Sequence, residues 1–305
     1  MMGVSAQVFR QLCIMLLYML VGYTLYKKKI LTEAGSKELA AMLVKIIIPA
    51  VIINSFCSEY TPEKAQKIAL SALGAALLLG VSILMARLVF PHKPIEQFSA
   101  AFSNPGFIGL PLIQSMLGAD AAVLVVAFIA MLNILQASYG VCILREKQDK
   151  IEWKPLLLNP IVLGSVGGAA LFASGLGAHI PDVVQTTLRG ISALNSPLAM
   201  IVLGTYLAKE NVCSLVKTPM VYVVCIIRQI LIPIGSILLL YLFPADFNLK
   251  QVLLIAAACP VGANVAVYAQ LYDKDYAYAG KIVVLSTLLA VLTMPIMIAA
   301  GSALF

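Results

Sequence analysis

Apolar stretches of about 20 residues, each ended by charged or polar positions, follow one another along almost the whole chain. A helix needs about 20 mainly apolar residues to cross the hydrocarbon core of a bilayer. Charged residues make up 11% of the 305 residues, against roughly 25% in soluble domains, so a water-facing globule is excluded. We predict an all-α polytopic membrane protein with ten transmembrane helices. These predicted helices, called spans 1 to 10, are 8–26, 39–58, 68–90, 97–117, 121–144, 155–176, 190–208, 218–243, 251–272 and 282–304.

Lysine and arginine residues are distributed unequally between the two sets of loops. Loops that follow odd-numbered spans carry 14 of the 21 Lys and Arg residues, and the opposite loops carry five. Because cytoplasmic loops are enriched in Lys and Arg, both termini are predicted on the non-cytoplasmic side of the cell membrane. The basic residues form no aromatic-interleaved patch, so the expected partner is the lipid bilayer and not nucleic acid.

Two spans share an unusual pattern of prolines and glycines. Span 4 contains SNPGFIGLP at 103–111, and span 9 contains CPVGANVAV at 259–267. These spans correspond if the chain consists of two units of five helices, and an odd number of helices makes the second unit enter from the opposite side. We therefore predict a 5+5 inverted repeat, with 1–144 as the first repeat, 145–154 as a cytoplasmic linker and 155–305 as the second repeat.

Residues that would support an enzyme are missing from mid-membrane positions. All 14 acidic residues lie in loops or near span ends, and the two histidines, His92 and His179, lie in loops. A proton relay or a metal site built on buried carboxylates is therefore not expected. The chain has no H-E-x-x-H and no G-x-x-x-x-G-K-[ST] pattern, so metalloproteolysis and nucleotide hydrolysis lack their motifs. We expect no enzyme activity, no catalytic residue, no metal and no cofactor.

Neutral amides and helix-breaking residues lie inside several spans and form the predicted substrate-binding set. Proline lacks an N–H donor and frees a carbonyl one turn earlier. Irregular backbone at this depth survives where it lines a cavity, and half-helix N-termini that open there favour an anion. The predicted set is Asn54, Asn104, Gly106, Gly109, Pro111, Asn133, Gln136, Pro260, Gly262 and Asn264.

Each of these residues also has a purely structural interpretation. Proline can mark a kink, and glycine and asparagine can serve close helix packing and interhelical hydrogen bonds; the paired clusters in corresponding spans favour a site. Two charges lie within spans. Lys45 is interpreted as a side chain that reaches the cytoplasmic interface. Arg228, with no acid in the spans to pair with, is expected to meet carbonyls, an amide or a bound anion.

The sequence around these motifs resembles the auxin efflux carrier family, which joins plant PIN-type auxin carriers with bacterial malate and malonate permease-like proteins. The family's first two helices are similar to VGYTLYKKKILTEAG and IIIPAVIINSF. Its fourth and seventh helices are similar to SNPGFIGLPLIQSMLG and SPLAMIVLGTYLAK, and its last two to CPVGANVAVYAQLY and VVLSTLLAVLTMPI. The resemblance covers essentially the whole chain.

The resemblance implies a sodium/proton antiporter-like fold with a scaffold and a transport domain, in which spans 4 and 9 cross at proline breaks beside the substrate. Carried over by motif, Pro111 and Pro260 would be the crossing prolines, and Asn104 would be a binding asparagine. Asn133 would stand where plant carriers have a binding glutamine. The short central loop, and Asn264 in place of an apolar residue, argue against auxin itself as the substrate.

Together these features predict a secondary carrier of a small organic anion, a carboxylate, that works by elevator-type alternating access and exports its substrate with the membrane potential. Asn104 and Asn264 would receive the carboxylate. Two alternatives stay open: a sodium-coupled organic-anion symporter of the bile-acid type, with a sodium ion held by neutral oxygens, and a membrane receptor that binds without transporting. Oligomeric state does not follow from the sequence, and a homodimer is left open.

Overall fold

The computed structural model describes residues 2–145, 158, 160–209 and 218–305. Within these residues the chain forms helices and no strand, which confirms the predicted all-α class. The predicted linker 145–154 lies outside the described residues except for its first position. The helices are α1 Met2–Lys27, α2 Glu33–Phe56, α3 Pro62–Val89, α4 Pro94–Ala101, α5 Pro105–Leu117, α6 119–144, α7 Pro160–Ala173, α8 Asp182–Lys209, α9 Pro219–Leu242, α10 Phe247–Ala258, α11 Asn264–Leu271 and α12 Tyr276–Leu304.

Seven helices in the described part of the chain are long and apolar enough to cross a bilayer, which confirms a polytopic membrane protein. They are α1, α2, α3, α6, α8, α9 and α12. Three shorter apolar helices, α5, α7 and α10, lie where spans 4, 6 and 9 were predicted. The arrangement of ten spans as a 5+5 inverted repeat stays a prediction.

Each of the two spans predicted to be interrupted consists of two helices. Span 4 is the eight-residue α4, a break at 102–104, and then α5. Span 9 is the 12-residue α10, a break at 259–263, and the eight-residue α11. Pro105 opens α5 and Pro260 lies in the second break, and neither can donate an N–H to the preceding turn. These two breaks, with the helix ends on either side, are called the crossing.

Four helices of the described chain contain a turn of π-helix, in which the backbone bond reaches the fifth residue. Such turns are frequent at functional sites. Two of them carry buried polar side chains, Gln136 in α6 and Arg228 in α9, each 1% exposed. The four π turns are Leu43–Ile47 in α2, Pro105–Gly109 in α5, Gln136–Gly140 in α6 and Ile227–Leu231 in α9.

The helices form two groups that pack against each other. In the first group, α1 runs along α8, and α2 packs on α7 and α8. The other eight helices form the second group, in which α10 lies between α3, α6, α9 and α12. Residues 252–258 of α10 are all buried, and α10 alone is too short to cross a bilayer. The crossing therefore lies inside the second group.

In the first group, α1 and α8 approach each other closely enough for their backbones to touch. A Cβ atom at Gly22 would overlap the backbone of Ile201, and one at Gly204 would overlap the backbone of Met19. Small residues at membrane helix interfaces permit such contact. The two glycines therefore join the first and second halves of the chain.

Candidate functional site

The breaks of spans 4 and 9 lie side by side and are joined by two backbone hydrogen bonds. The N–H of Asn104 donates to the carbonyl oxygen of Pro260 at 3.0 Å, and the N–H of Gly262 donates to the carbonyl oxygen of Phe102 at 3.0 Å. The result is an isolated antiparallel bridge between two segments that are not otherwise strands. The two spans thus cross at their breaks, and each break supplies the backbone partner that the other lacks.

Close approach at the crossing requires glycine at one position. A Cβ atom on Gly262 would lie 2.9 Å from the carbonyl oxygen of Ser103, so a larger residue would push the two breaks apart. Gly109 is also tight, because a Cβ atom there would lie 3.0 Å from Sγ of Cys259. A Cβ atom on Gly106 would lie 3.9 Å from Cδ1 of Ile48, an ordinary van der Waals contact. Gly262 therefore serves the crossing itself, and Gly109 serves the packing of α5 against the second break.

Two amide side chains at the crossing have donors without acceptors. Asn264 Nδ2 donates to Gln136 Oε1 at 2.9 Å, which ties α11 to the π turn of α6. Gln136 Nε2 and Asn104 Nδ2 are buried and have no hydrogen-bond partner within the described residues. A Cβ atom on Gly262 would lie 3.4 Å from Gln136 Nε2, which places this donor against the second break.

The helix ends at the crossing reinforce these donors. The helices α5 and α11 both begin at the crossing, and a helix N-terminus carries about half a positive elementary charge together with N–H groups that lack intrahelical acceptors. A buried donor without an acceptor costs about 1–3 kcal/mol. An acceptor such as an anion could satisfy each of these two donors.

Arg228 binds the C-termini of α4 and α10, the half-helices that end at the crossing. Its Nη1 donates to the carbonyl oxygens of Ala100 at 3.0 Å and Ala101 at 3.4 Å, at the C-terminus of α4. Its Nη2 donates to the carbonyl oxygen of Ala257, at the C-terminus of α10. Of the partners expected from the sequence, carbonyls are therefore the ones observed, and they belong to both interrupted spans.

Groups that could hold a metal do not gather at the crossing. Among the described residues no three His, Cys, Asp or Glu side chains lie close enough together to bind a metal ion.

Outside the spans, the carboxylate of Asp246 caps α10. It accepts from Leu249 N–H at 2.8 Å and pairs with Lys67 at 2.9 Å. Burial raises the pKa of Asp246, but these two contacts outweigh it and leave the pKa below its ordinary value.

Comparison with protein families decides the broad class of the chain. A family model described as membrane transport protein matches residues 7–298, which include all of the crossing and helices of both groups. The chain belongs to this family. The resemblance to auxin efflux carriers is thereby confirmed. The membrane transport family is a family of transporters and not of enzymes. No curated protein compared with the chain matches it.

The crossing brings together most of the site residues predicted for this membrane transport protein. Asn133 lies one turn before Gln136 on α6, is partly exposed, and donates from Nδ2 to the carbonyl oxygen of Ile129 in its own helix at 2.7 Å. In α2, Ile48 lies next to the crossing, because its Cδ1 would be 3.9 Å from a Cβ atom on Gly106. Asn54 lies six residues beyond Ile48, near the end of α2, which is about 9 Å farther along the helix. The predicted residues at or next to the crossing are Asn104, Gly106, Gly109, Gln136, Pro260, Gly262 and Asn264.

One detail of the motif-based prediction is wrong. Pro111, predicted as a crossing proline, lies inside α5, seven residues beyond Asn104. The proline that adjoins the first break is Pro105, which opens α5. Two prolines follow Asn104 in the sequence, and either ring permits a helix start. The first one follows the break because the backbone bonds with residues 260–262 fix the break at 102–104.

Sequence reasoning missed Asn195 in α8. This side chain is 1% exposed, and its Nδ2 donates to the carbonyl oxygen of Gly106 at 3.4 Å, so it links the first group of helices to the crossing. Its Oδ1 has no partner within the described residues. The available signal was the position of this amide two residues before Pro197, in span 7, which would correspond to span 2 with its Pro49 in the predicted repeat.

Aromatic side chains pack beside the crossing. Phe98 and Phe102 meet edge to face with ring centroids 4.9 Å apart, and Tyr268 of α11 lies 5.5 Å from Phe98. Gly140 of α6 packs tightly against both phenylalanines. Because α4, α6 and α11 each contribute to this cluster, the short half-helices are held in one block with the donor-bearing turn of α6.

Proposed function

We propose that this membrane transport protein is a secondary carrier of a small organic anion, a carboxylate bound at the crossing. The observation that supports it is the pair of buried donors, Asn104 Nδ2 and Gln136 Nε2, that have no acceptor within the described residues. Both lie beside the N-termini of α5 and α11, whose partial charge is positive. The site offers the anion donors and positive helix ends, and no carboxylate of the described residues has been placed there.

The proposed architecture is a 5+5 inverted repeat, with 1–144 and 155–305 as its halves and both termini outside the cell membrane. Two features support it. Spans 4 and 9, which correspond in this repeat, are both interrupted beside a proline. Their breaks are joined by an antiparallel bridge, as expected of two spans that run in opposite directions.

The proposed movement is an elevator-type displacement of the second group of helices against the first. Both interrupted spans lie in the second group, which carries Arg228, Gln136 and the aromatic cluster with them. The crossing can therefore move as a unit with its ligand. In the first group, the backbone contact of Gly22 and Gly204 supports a fixed scaffold. A negative cell interior would favour export by about 2.3 kcal/mol per charge per 100 mV.

The direct test is flux in proteoliposomes across a panel of radiolabelled carboxylates under imposed potentials. The wild-type protein should exchange at least one carboxylate, and Asn104→Ala and Gln136→Ala should weaken its apparent affinity by about tenfold each, the effect of losing one hydrogen bond to a charged group. Gln114→Ala, which removes a partly buried amide farther along α5, is the matched control and should leave flux unchanged.

Three outcomes would replace the proposal. Wild-type flux that stops when potassium replaces sodium would establish the sodium-coupled symporter. Saturable binding without counterflow would establish a receptor. Unaltered flux in well-folded Asn104→Ala and Gln136→Ala proteins would move the site away from the crossing.

A further inference from the structure

Arg228 lies where the negative ends of both interrupted spans meet. Its guanidinium binds carbonyl oxygens of Ala100 and Ala101 in α4 and of Ala257 in α10. Its side chain is 1% exposed. No ion pair between described residues includes Arg228. Among these residues its hydrogen-bond partners are backbone carbonyls, and its Nε has no partner.

The charges at the crossing balance in a simple way. Each helix C-terminus carries about half a negative elementary charge, so α4 and α10 together supply about one. Arg228 supplies one positive charge and is protonated at any physiological pH. What remains uncompensated is the pair of N-termini of α5 and α11, worth about one positive charge. A monovalent carboxylate would neutralise that remainder.

Carbonyls at half-helix C-termini are the groups that hold coupling cations in transporters with interrupted helices. In this chain the guanidinium occupies them. We propose that Arg228 is a built-in cation that takes the place of a coupling ion, so that the crossing binds its anion without sodium and without proton uptake. This inference rests on the proposed function for its anion and adds the energy coupling, which would be a uniport driven by substrate gradient and membrane potential.

The surroundings of Arg228 favour a permanent role. The residue lies in the π turn of α9, and the neighbouring Gln229 donates from Nε2 to the carbonyl oxygen of Ser286 in α12, which anchors that turn. The planar guanidinium can bridge carbonyls on two separate helices, whereas an ammonium is a compact point charge that is suited to one position. Arg228 is thus a positioning residue that acts on the anion through the helix ends it binds.

The test uses the purified full-length protein in detergent and in proteoliposomes. For the wild type, replacing sodium with potassium or N-methylglucamine, and changing the pH from 6 to 8, should shift neither the melting temperature nor the affinity for a transported carboxylate. Arg228→Ala should melt at a lower temperature and bind the carboxylate at least about tenfold more weakly, as expected on losing hydrogen bonds to a charged group.

Chemical rescue separates a charge role from simple packing. Millimolar guanidinium should raise the melting temperature of Arg228→Ala and restore carboxylate affinity, and Arg228→Lys should fall between wild type and Arg228→Ala. Lys45→Met is the matched control, because Lys45 is an exposed cation within α2. Its melting temperature should not respond to guanidinium.

The inference is overturned by sodium dependence of the wild type, by failure of guanidinium to rescue folded Arg228→Ala, or by an equal response in Lys45→Met. If Arg228→Ala does not fold, two measurements still test the role of Arg228. These are the replacement of sodium by potassium with the wild-type protein and the properties of Arg228→Lys. Absence of any carboxylate flux in the wild type would remove the proposed function, whereas the rescue of melting temperature tests Arg228 without any substrate.

Discussion

The two interrupted spans are alike in backbone and different in side-chain chemistry. Each contributes one N–H and one carbonyl to the bridge between the breaks, and each ends a half-helix on Arg228. In span 4 the amide of Asn104 lies directly before the proline of its break and its Nδ2 has no partner among the described residues. In span 9 the amide of Asn264 lies four residues after Pro260 and is bonded to Gln136.

This difference assigns the two spans separate tasks. The backbone bonds that are alike in the two spans hold the crossing together. The side-chain asymmetry decides which donor is free for a ligand. Span 4 is therefore expected to carry recognition, and span 9 is expected to hold Gln136 in the orientation that recognition needs. The following substitutions test that division.

The largest loss of stability is expected for Gly262→Ala. The new Cβ would lie 2.9 Å from the backbone oxygen of Ser103, and overpacking of this kind costs about 1–3 kcal/mol. Gly106→Ala is the matched control, since its Cβ would meet no atom closer than 3.9 Å. Thermal melting in detergent measures both, and equal melting temperatures for the two variants would show that the breaks do not need this close contact.

Asn104→Ala should lower the affinity for carboxylate, whereas Asn264→Ala should lower the stability of the protein. Asn104→Ala removes a donor without a protein partner, so the ligand-free protein should be as stable as the wild type while carboxylate affinity falls by about tenfold. Asn264→Ala leaves Gln136 Oε1 without its donor and should lower stability by about 1–3 kcal/mol. Melting curves with and without carboxylate separate the two, and identical profiles would remove the proposed division between the spans.

Asn195→Ala should change transport rate more than stability. Its hydrogen bond to Gly106 is long, 3.4 Å, and it joins the first group of helices to the second group, which is proposed to move against it. Loss of this contact should raise the maximal exchange rate with little change in apparent affinity. A fall in affinity at unchanged rate would instead make Asn195 part of the binding site. Ser115→Ala, on α5 with a hydrogen bond inside its own helix, serves as the control.

The smallest loss of stability is expected on removal of the N-cap of α10. Asp246→Ala removes an N-cap, worth about 1 kcal/mol, and Asp275→Ala removes the matching cap of α12. Because the folded pKa of Asp246 is lowered, its contribution is complete above its unfolded value, 3.8, and is lost as the pH falls through the folded value. Melting of wild type and Asp246→Ala should therefore converge below that pH, and a constant difference would contradict the assignment.

Much of the site could be predicted because proline and glycine act locally. The interruptions of spans 4 and 9 follow from Pro105, Pro260 and Gly262, since each residue restricts or frees its own backbone. The absence of acids in the spans left carbonyls, an amide or a bound anion as partners of Arg228, and carbonyls are the partners observed. These inferences need no knowledge of which helix lies next to which.

The contacts between helices at the site were not predicted, because they depend on how neighbouring helices are aligned, which the local sequence does not encode. The bond from Asn264 to Gln136 and the contact of Asn195 with Gly106 join residues 128 and 89 positions apart. Neither pair shares a pattern that marks it in advance. The choice between Pro105 and Pro111 failed for a similar reason, because both prolines permit a helix start and only the partner segment at 260–262 selects the first.

The contact between Gly22 and Gly204 also sets the order in which the protein can assemble. The two glycines are about 180 residues apart, so at a synthesis rate of about 5–20 residues per second the partner of α1 emerges roughly 10–40 s after α1 itself. During that interval Gly22 lacks the backbone of α8 that it contacts in the folded protein. The scaffold is thus closed late by the second half of the chain, and a truncated product that ends before α8 would leave α1 without its main interface.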